Sequence, residues 1–296
     1  MDTIVATRTQ TQPRTALRVV QSHHAQPAPG LDVLRPFPGP QLDYASPFLM
    51  LDHFGPERIR PGDKGGLNPH PHRGFETVTF LFQGAMEHHD SSGGHGLLNA
   101  GGVQWMTAGS GIVHAEYRQK EFARTGGVLE GVQLWVNLPR KFKMEAPHYQ
   151  DLPAEKFAVA KFAGGVARVV AGELLGVRGP AVTYTSVVAA HVKLEAGASV
   201  ELPIPADFNA YVYAVRGSGR SSGVDFATNQ LVEYRGDGSS VQVAATEALD
   251  FLLLAGEPID EPVVSWGPFV MNTREEIIQA REDYLAGRMG RLEERT

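Results

Sequence analysis

The sequence predicts an all-β protein: two similar β-domains in tandem, closed by a single C-terminal helix. Three observations carry this expectation. Gly and Pro are frequent, 33 and 20 of 296 residues, and they punctuate short β-branched and aromatic runs. Those runs recur with similar spacing in both halves of the chain. Only one stretch, near the end, has helical periodicity with caps at both ends.

Taken in order, residues 1–17 are rich in Thr, Arg and Gln with little to bury, and are expected as a flexible tail. A short strand begins after Gly30 and ends in Pro-rich turns. The apolar run from Pro47 to Pro56 is too short for a typical helix and is expected as a buried strand. Glu76–Phe82, Val103–Thr107, Ile112–Glu116 and Val128–Leu138 follow as strands. Between Pro139 and Pro180 the chain turns irregular. A boundary there separates residues 18–140, a first domain, from residues 141–296, a second one. The second set of strands is Tyr184–Leu194, Ser199–Leu202, Ala210–Val215, Leu231–Tyr234, Val241–Ala244 and Asp250–Ala255. At the end, Thr273-Arg-Glu-Glu276 reads as a capping box, Ile277, Ile278, Ala280, Tyr284 and Leu285 give an apolar face, and Gly287 stops the helix.

Composition narrows the function. The formal net charge is −6, and no run of Lys or Arg could track a phosphate backbone, so direct nucleic-acid binding is not expected. No apolar run approaches a membrane span, and no secretory signal is legible, so a soluble, cytoplasmic monomer is expected. There is no cysteine, so any metal must sit on imidazole and oxygen.

Two dyads carry the chemistry. His70 and His72 are i and i+2, and so are His114 and Glu116. In a strand such residues share a face, roughly 6.5 Å apart at the backbone. Together they offer three imidazoles and a carboxylate, a donor set for Fe(II), Mn(II), Ni(II), Cu(II) or Zn(II) rather than Ca(II) or Mg(II). Burying these groups together without a cation would be costly. Glu76, four residues after His72 and of the same parity, competes with Glu116 as the carboxylate or serves as an acceptor behind the ligands. If the register holds through Gly74, Val78, Phe80 and Phe82 share the face of His70 and His72. Arg73, on the other parity, is expected to anchor the sheet.

The remaining histidines read as structural. His53 is expected to hydrogen-bond within the core. His88, His89 and His95 lie in Gly/Ser/Asp-rich turn chemistry and are expected as solvated loop residues. His191 has no i,i+2 partner, so the second domain is expected to lack a metal site. Gly93-Gly-His-Gly96 is not a phosphate loop, and nothing marks Ser110 as a nucleophile.

At these residues the chain resembles the pirin family, a branch of the cupin superfamily, over roughly residues 30–290. The likeness rests on Phe48-Leu-Met-Leu-Asp-His-Phe-Gly55, His70-Pro-His-Arg-Gly-Phe-Glu-Thr-Val-Thr79, Gln104-Trp-Met-Thr-Ala-Gly-Ser-Gly-Ile112, His114-Ala-Glu116, Gln133-Leu-Trp-Val-Asn-Leu-Pro139 and Gly267-Pro-Phe-Val-Met-Asn-Thr273. It implies two cupin β-barrels (double-stranded β-helices) with the C-terminal helix bracing them. It implies iron in the first barrel on His70, His72, His114 and Glu116, although the general cupin pattern His-x-His-x-x-x-Glu nominates Glu76.

The family's activity implies an Fe(II)-dependent quercetin 2,3-dioxygenase, which opens a flavonol ring with dioxygen and releases carbon monoxide, with Glu116 as the catalytic base. Other members act instead as non-catalytic regulators bound to a transcription factor or a metabolic enzyme. A metal-dependent isomerase is a third, weaker reading. The expected partners are therefore a small flavonol-like aromatic, a protein, or both.

Overall fold

The structure, a computed structural model, describes residues 11–293. Residues 1–10, most of the expected tail, lie outside the described residues. Among the described residues two β-barrels follow one another, as expected, and each pairs a seven-stranded sheet with a four-stranded one. In the first barrel the large sheet runs, edge to edge, His148–Leu152, Val103–Thr107, Phe75–Gln83, Gly127–Asn137, Phe48–Ile59, Leu31–Phe37 and His23–Ala28. Its small sheet runs Gly66–His72, Ile112–Arg118, Ala85–Asp90 and His95–Asn99. The second barrel repeats the scheme, with Ser199–Pro203, Ser240–Ala245, Ser218–Ser221 and Val224–Ala227 as its small sheet.

Period-2 alternation decides what each face does. In Gly127–Asn137, Val132, Leu134 and Val136 point to one side with Val78 and Phe80 of the neighbouring strand. They meet Tyr211, Tyr213, Leu231, Leu252 and Leu254 of the second barrel in one buried cluster. The two large sheets thus pack against each other, and a large core lies between the barrels. Gln133 and Trp135 point the other way, into the first barrel.

The interiors of the barrels differ. The second is filled by apolar side chains from both of its sheets, among them Val188, Val192, Val212, Phe226, Val241 and Leu253. The first holds histidines and polar groups, described below. This contrast is why the buried histidine cluster lies inside the first barrel and not the second.

The termini are exchanged between barrels, which strand pattern alone does not reveal. Ala16–Gln21 joins the second barrel through Gln230–Tyr234, and buried Arg14 donates to the carbonyls of Pro205, Ala206, Phe208 and Gly238. The expected tail therefore ends earlier, because Arg14 finds four acceptors on another domain. Conversely, the helix Arg274–Leu285 follows the second barrel but packs Ile277 and Ala280 with Phe269, Met271 and Val113 of the first. Its capping box forms as expected, Thr273 and Glu276 bonding reciprocally.

Two further departures concern register. The stretch 139–180, expected as irregular, contains strands: His148–Leu152 pairs with Val103–Thr107, and Ala158–Phe162 pairs with Gly165–Ala171. The chain thus passes from the first large sheet to the second between Leu152 and Ala158, later than position 141. The register also does not hold through Gly74. That residue has φ +88°, a conformation favouring glycine, and ends one strand before Phe75 begins another in a different sheet.

Candidate metal centre

Gly66–His72 and Ile112–Arg118 are antiparallel neighbours, with His114 directly opposite His70. This pairing brings the two dyads together. The rings of His70, His72 and His114 lie 4.3–4.9 Å apart, centroid to centroid. One ligand atom from each falls within 4.8 Å of the others.

Hydrogen bonds fix which nitrogen each ring offers. His70 Nδ1 lies 2.8 Å from the Asn68 carbonyl, and His72 Nδ1 lies 3.4 Å from that of Pro268. A carbonyl only accepts, so both Nδ1 atoms carry the proton and both Nε2 atoms keep a lone pair. Pro268 belongs to the segment that follows the second barrel; Arg73 and Val270 stitch it in place by backbone hydrogen bonds. Arg73 also donates to Ser110 O at 2.7 Å and pairs with Asp283 of the C-terminal helix at 2.7 Å.

His114 is oriented by a relay. Its Nδ1 faces His88 Nδ1 at 3.4 Å, and His88 Nε2 faces Asp90 Oδ2 at 3.1 Å. The carboxylate only accepts, so His88 donates to it from Nε2–H, His88 Nδ1 accepts, and His114 must donate from Nδ1. Its Nε2 is left as a ligand atom, buried and without a hydrogen-bond partner. Burial would raise the Asp90 pKa, but hydrogen bonds from His88, Ser92 and Gly94 outweigh it and hold Asp90 well below the usual carboxylate range.

His88 is thus not a solvated loop residue. It lies on the strand Ala85–Asp90, is 1 % exposed, and stacks on Tyr149 with centroids 4.6 Å apart. The Gly- and Ser-rich neighbours that suggested a loop form only the turn at Ser91–Gly94.

Glu116 is buried on the same strand face as His114. It lies outside the 4.8 Å group, and its Oε2 accepts from Gln133 Nε2 at 3.3 Å. Gln133 is held in turn by Trp135 Nε1–H at 3.3 Å, and Trp135 packs edge-on against His72 and lies tilted by 31° over Phe75, centroids 4.2 Å apart. Gln133, Trp135 and His88 were not singled out as functional from sequence. The mixed face of Gly127–Asn137 was the available signal.

Glu76 is placed elsewhere. Because Gly74 breaks the register, Glu76 shares the face of Val136 and Val78, toward the core between the barrels. It is fully buried and accepts from Thr107 Oγ1 at 2.7 Å. Burial pushes its pKa up to about 7 against that hydrogen bond.

Burial, followed by repulsion from His70, holds both His72 and His114 well below the usual imidazole range. His72 and His114 are therefore neutral imidazoles with inward lone pairs, the form that binds a transition metal. Elsewhere, His191 pairs with Asp250, and buried His53 lies 3.0 Å from the Tyr213 hydroxyl across the barrel interface.

Comparison with known proteins agrees with this architecture. The family described as Pirin matches residues 30–136, and the Pirin C-terminal cupin domain matches residues 189–290. A pirin-like protein of Solanum lycopersicum is 40 % identical over 94 % of this chain and 94 % of its own. Pirin of Homo sapiens is 40 % identical over 88 % of this chain and 89 % of its own. Among solved structures, a quercetin 2,3-dioxygenase from Acinetobacter baumannii superimposes with TM-score 0.88 at 36 % identity, covering 94 % of this chain and 99 % of that one. A bacterial pirin from Escherichia coli in complex with nickel(II) shares the fold at 22 % identity and TM-score 0.65, over 82 % of this chain and 99 % of that one. With both domain profiles matched and relatives at this identity over most of the sequence, the chain belongs to the pirin family.

Proposed function

We propose that His70, His72, His114 and Glu116 hold a divalent transition ion, and that the chain is an oxidoreductase of the quercetin 2,3-dioxygenase type acting on a flavonol-like aromatic. The observation that carries this reading is the convergence of three imidazoles whose Nδ1 atoms are committed, leaving Nε2 lone pairs with no donor among them. A cation satisfies that arrangement, and neutral N donors beside one carboxylate suit a first-row transition metal. Fe(II) is taken from the family likeness; Mn, Ni, Cu and Zn fit the same donors. The likeness to the Acinetobacter enzyme supports the choice of substrate class.

When bound, the ion supplies Lewis-acid polarisation of a coordinated hydroxyl and the redox capacity for chemistry with dioxygen. The protein's own groups do the rest. Glu116 accepts the flavonol hydroxyl proton, and Gln133, fixed by Trp135, holds the carboxylate in orientation. Trp135 and Phe75 form an aromatic wall beside His72. His70, the partly exposed member of the triad, marks the side open to solvent. Among the described residues no helix is long and apolar enough to cross a membrane, and a cytoplasmic location is part of this proposal.

The test is to load the apoprotein with Fe(II), add quercetin, and follow flavonol absorbance together with dioxygen uptake. Turnover that is lost in Glu116→Ala is expected. Stoichiometric metal with no turnover would overturn the dioxygenase reading for this substrate. It would favour the alternative, in which the metal-loaded face serves a protein partner such as a transcription factor or metabolic enzyme.

A further inference from the structure

The strand that carries His88 and Asp90 inward carries Glu87 and His89 outward, as period 2 requires. His95 on the next strand lies directly opposite His89, and the two rings are 4.6 Å apart. Glu87 Oε2 is 3.6 Å from His89 Nε2, a nitrogen that is buried and has no hydrogen-bond partner within reach. One ligand atom from each of Glu87, His89 and His95 falls within 4.8 Å of the others.

From this juxtaposition we infer that Glu87, His89 and His95 form a second divalent transition-metal site, of zinc type, on the outer face of the small sheet of the first barrel. Two imidazoles and one carboxylate with a fourth position open to water are a recognised zinc donor set. Tetrahedral bonds of about 2.0–2.2 Å place ligand atoms roughly 3.3–3.6 Å apart, so the cluster needs to contract only modestly. The flexible member supplies that contraction: His95 is exposed, and turning its ring disturbs no core packing.

The other two ligands are already held. Glu87 Oε1 accepts from the backbone N–H of Lys120 at 2.9 Å, at the start of the helix Lys120–Thr125, and His89 leans on Tyr117. The site is separate from the triad, because the sheet lies between them. It would nevertheless clamp the hairpin Ala85–Asp90/His95–Asn99, whose inner face bears the His88–Asp90 relay. An ion here therefore ties two strands together and stiffens the support of His114.

Equilibrium dialysis of the full chain against Zn²⁺ tests this, with bound metal counted per chain in the wild type, His95→Ala, His70→Ala and the double variant. His95 is exposed, so its loss leaves folding intact; His89→Ala is a second probe of the same site. The expected counts are two, one, one and none. One ion that is lost in His95→Ala but kept in His70→Ala would support this site and sink the triad reading. An unchanged count in both His95→Ala and His89→Ala would overturn the inference and leave the triad untouched.

Discussion

Asp90→Asn is an almost isosteric change that should reverse the relay behind His114. Asp90 Oδ1 accepts from the backbone N–H groups of Ser92 and Gly94, at 2.8 and 2.9 Å, and from the Ser92 hydroxyl. Those donors hold the asparagine oxygen at the Oδ1 position and direct its NH₂ group at His88 Nε2. His88 must then accept there and carry its proton on Nδ1. That proton faces His114 Nδ1 at 3.4 Å, so His114 is driven to the tautomer protonated on Nε2, its ligand atom.

Loss of a group behind a ligand typically costs 10–100-fold in metal affinity. Reversal rather than simple loss argues for the upper end, about 100-fold or ~2.7 kcal/mol. His88→Phe, which keeps the stack on Tyr149 but removes the acceptor, should cost about 10-fold, since a 3.4 Å separation is longer than a strong hydrogen bond. Competition against a chromophoric chelator measures both, and thermal unfolding of the apoproteins shows whether the fold survives. Wild-type affinity in an intact Asp90→Asn protein would refute the relay.

Three other outcomes are expected. Burial raises Glu76 from 4.5 to about 7, so stability from this group is fully present below pH 4.5 and is lost as pH rises through 7. The difference of 2.5 units corresponds to about 3 kcal/mol, so Glu76→Gln should gain stability relative to wild type between pH 4.5 and 8 in denaturant titrations; a flat difference would contradict the assignment. Gly74→Ala should destabilise by roughly 2 kcal/mol or more, because φ is +88° and a Cβ would lie 2.0 Å from Val270 O. It should also weaken metal binding, since displacing Val270 disturbs the Arg73 backbone hydrogen bonds that hold Pro268 behind His72; unchanged melting and affinity would refute this. Thr273→Ala removes one half of the capping box and should cost about 1 kcal/mol, and calorimetry showing no loss would mean that the helix is held by packing alone.

What the sequence revealed and what it hid follow from the range of each signal. Alternation and turn residues are local, so the strands around Val78, Val132, Val212 and Leu253 were legible, as was the capped helix. The histidine-poor sequence of the second half was legible too, and the interior of the second barrel is filled by apolar side chains. Sheet membership is not local. Gly74 separates His72 and Glu76 into different sheets, and parity counted across it placed Glu76 on the wrong face. The His88 relay was hidden because turn-rich neighbours masked a buried strand. Pro268 lies nearly two hundred positions from His72, so only the returned C-terminal segment reveals it. Arg14 docks on the second barrel by the same kind of long-range exchange.

The central claim is that three imidazoles and Glu116 hold one ion inside the first barrel. Anomalous diffraction at the iron edge, from crystals of the Fe(II)-loaded protein, tests it most directly. The expected result is a single peak at that site at coordination distance, roughly 2.0–2.2 Å by analogy with other first-row ions, from Nε2 of His70, His72 and His114, with Glu116 turned from Gln133 to join them. A peak bound instead by Glu76, or no peak among the three histidines, would contradict it.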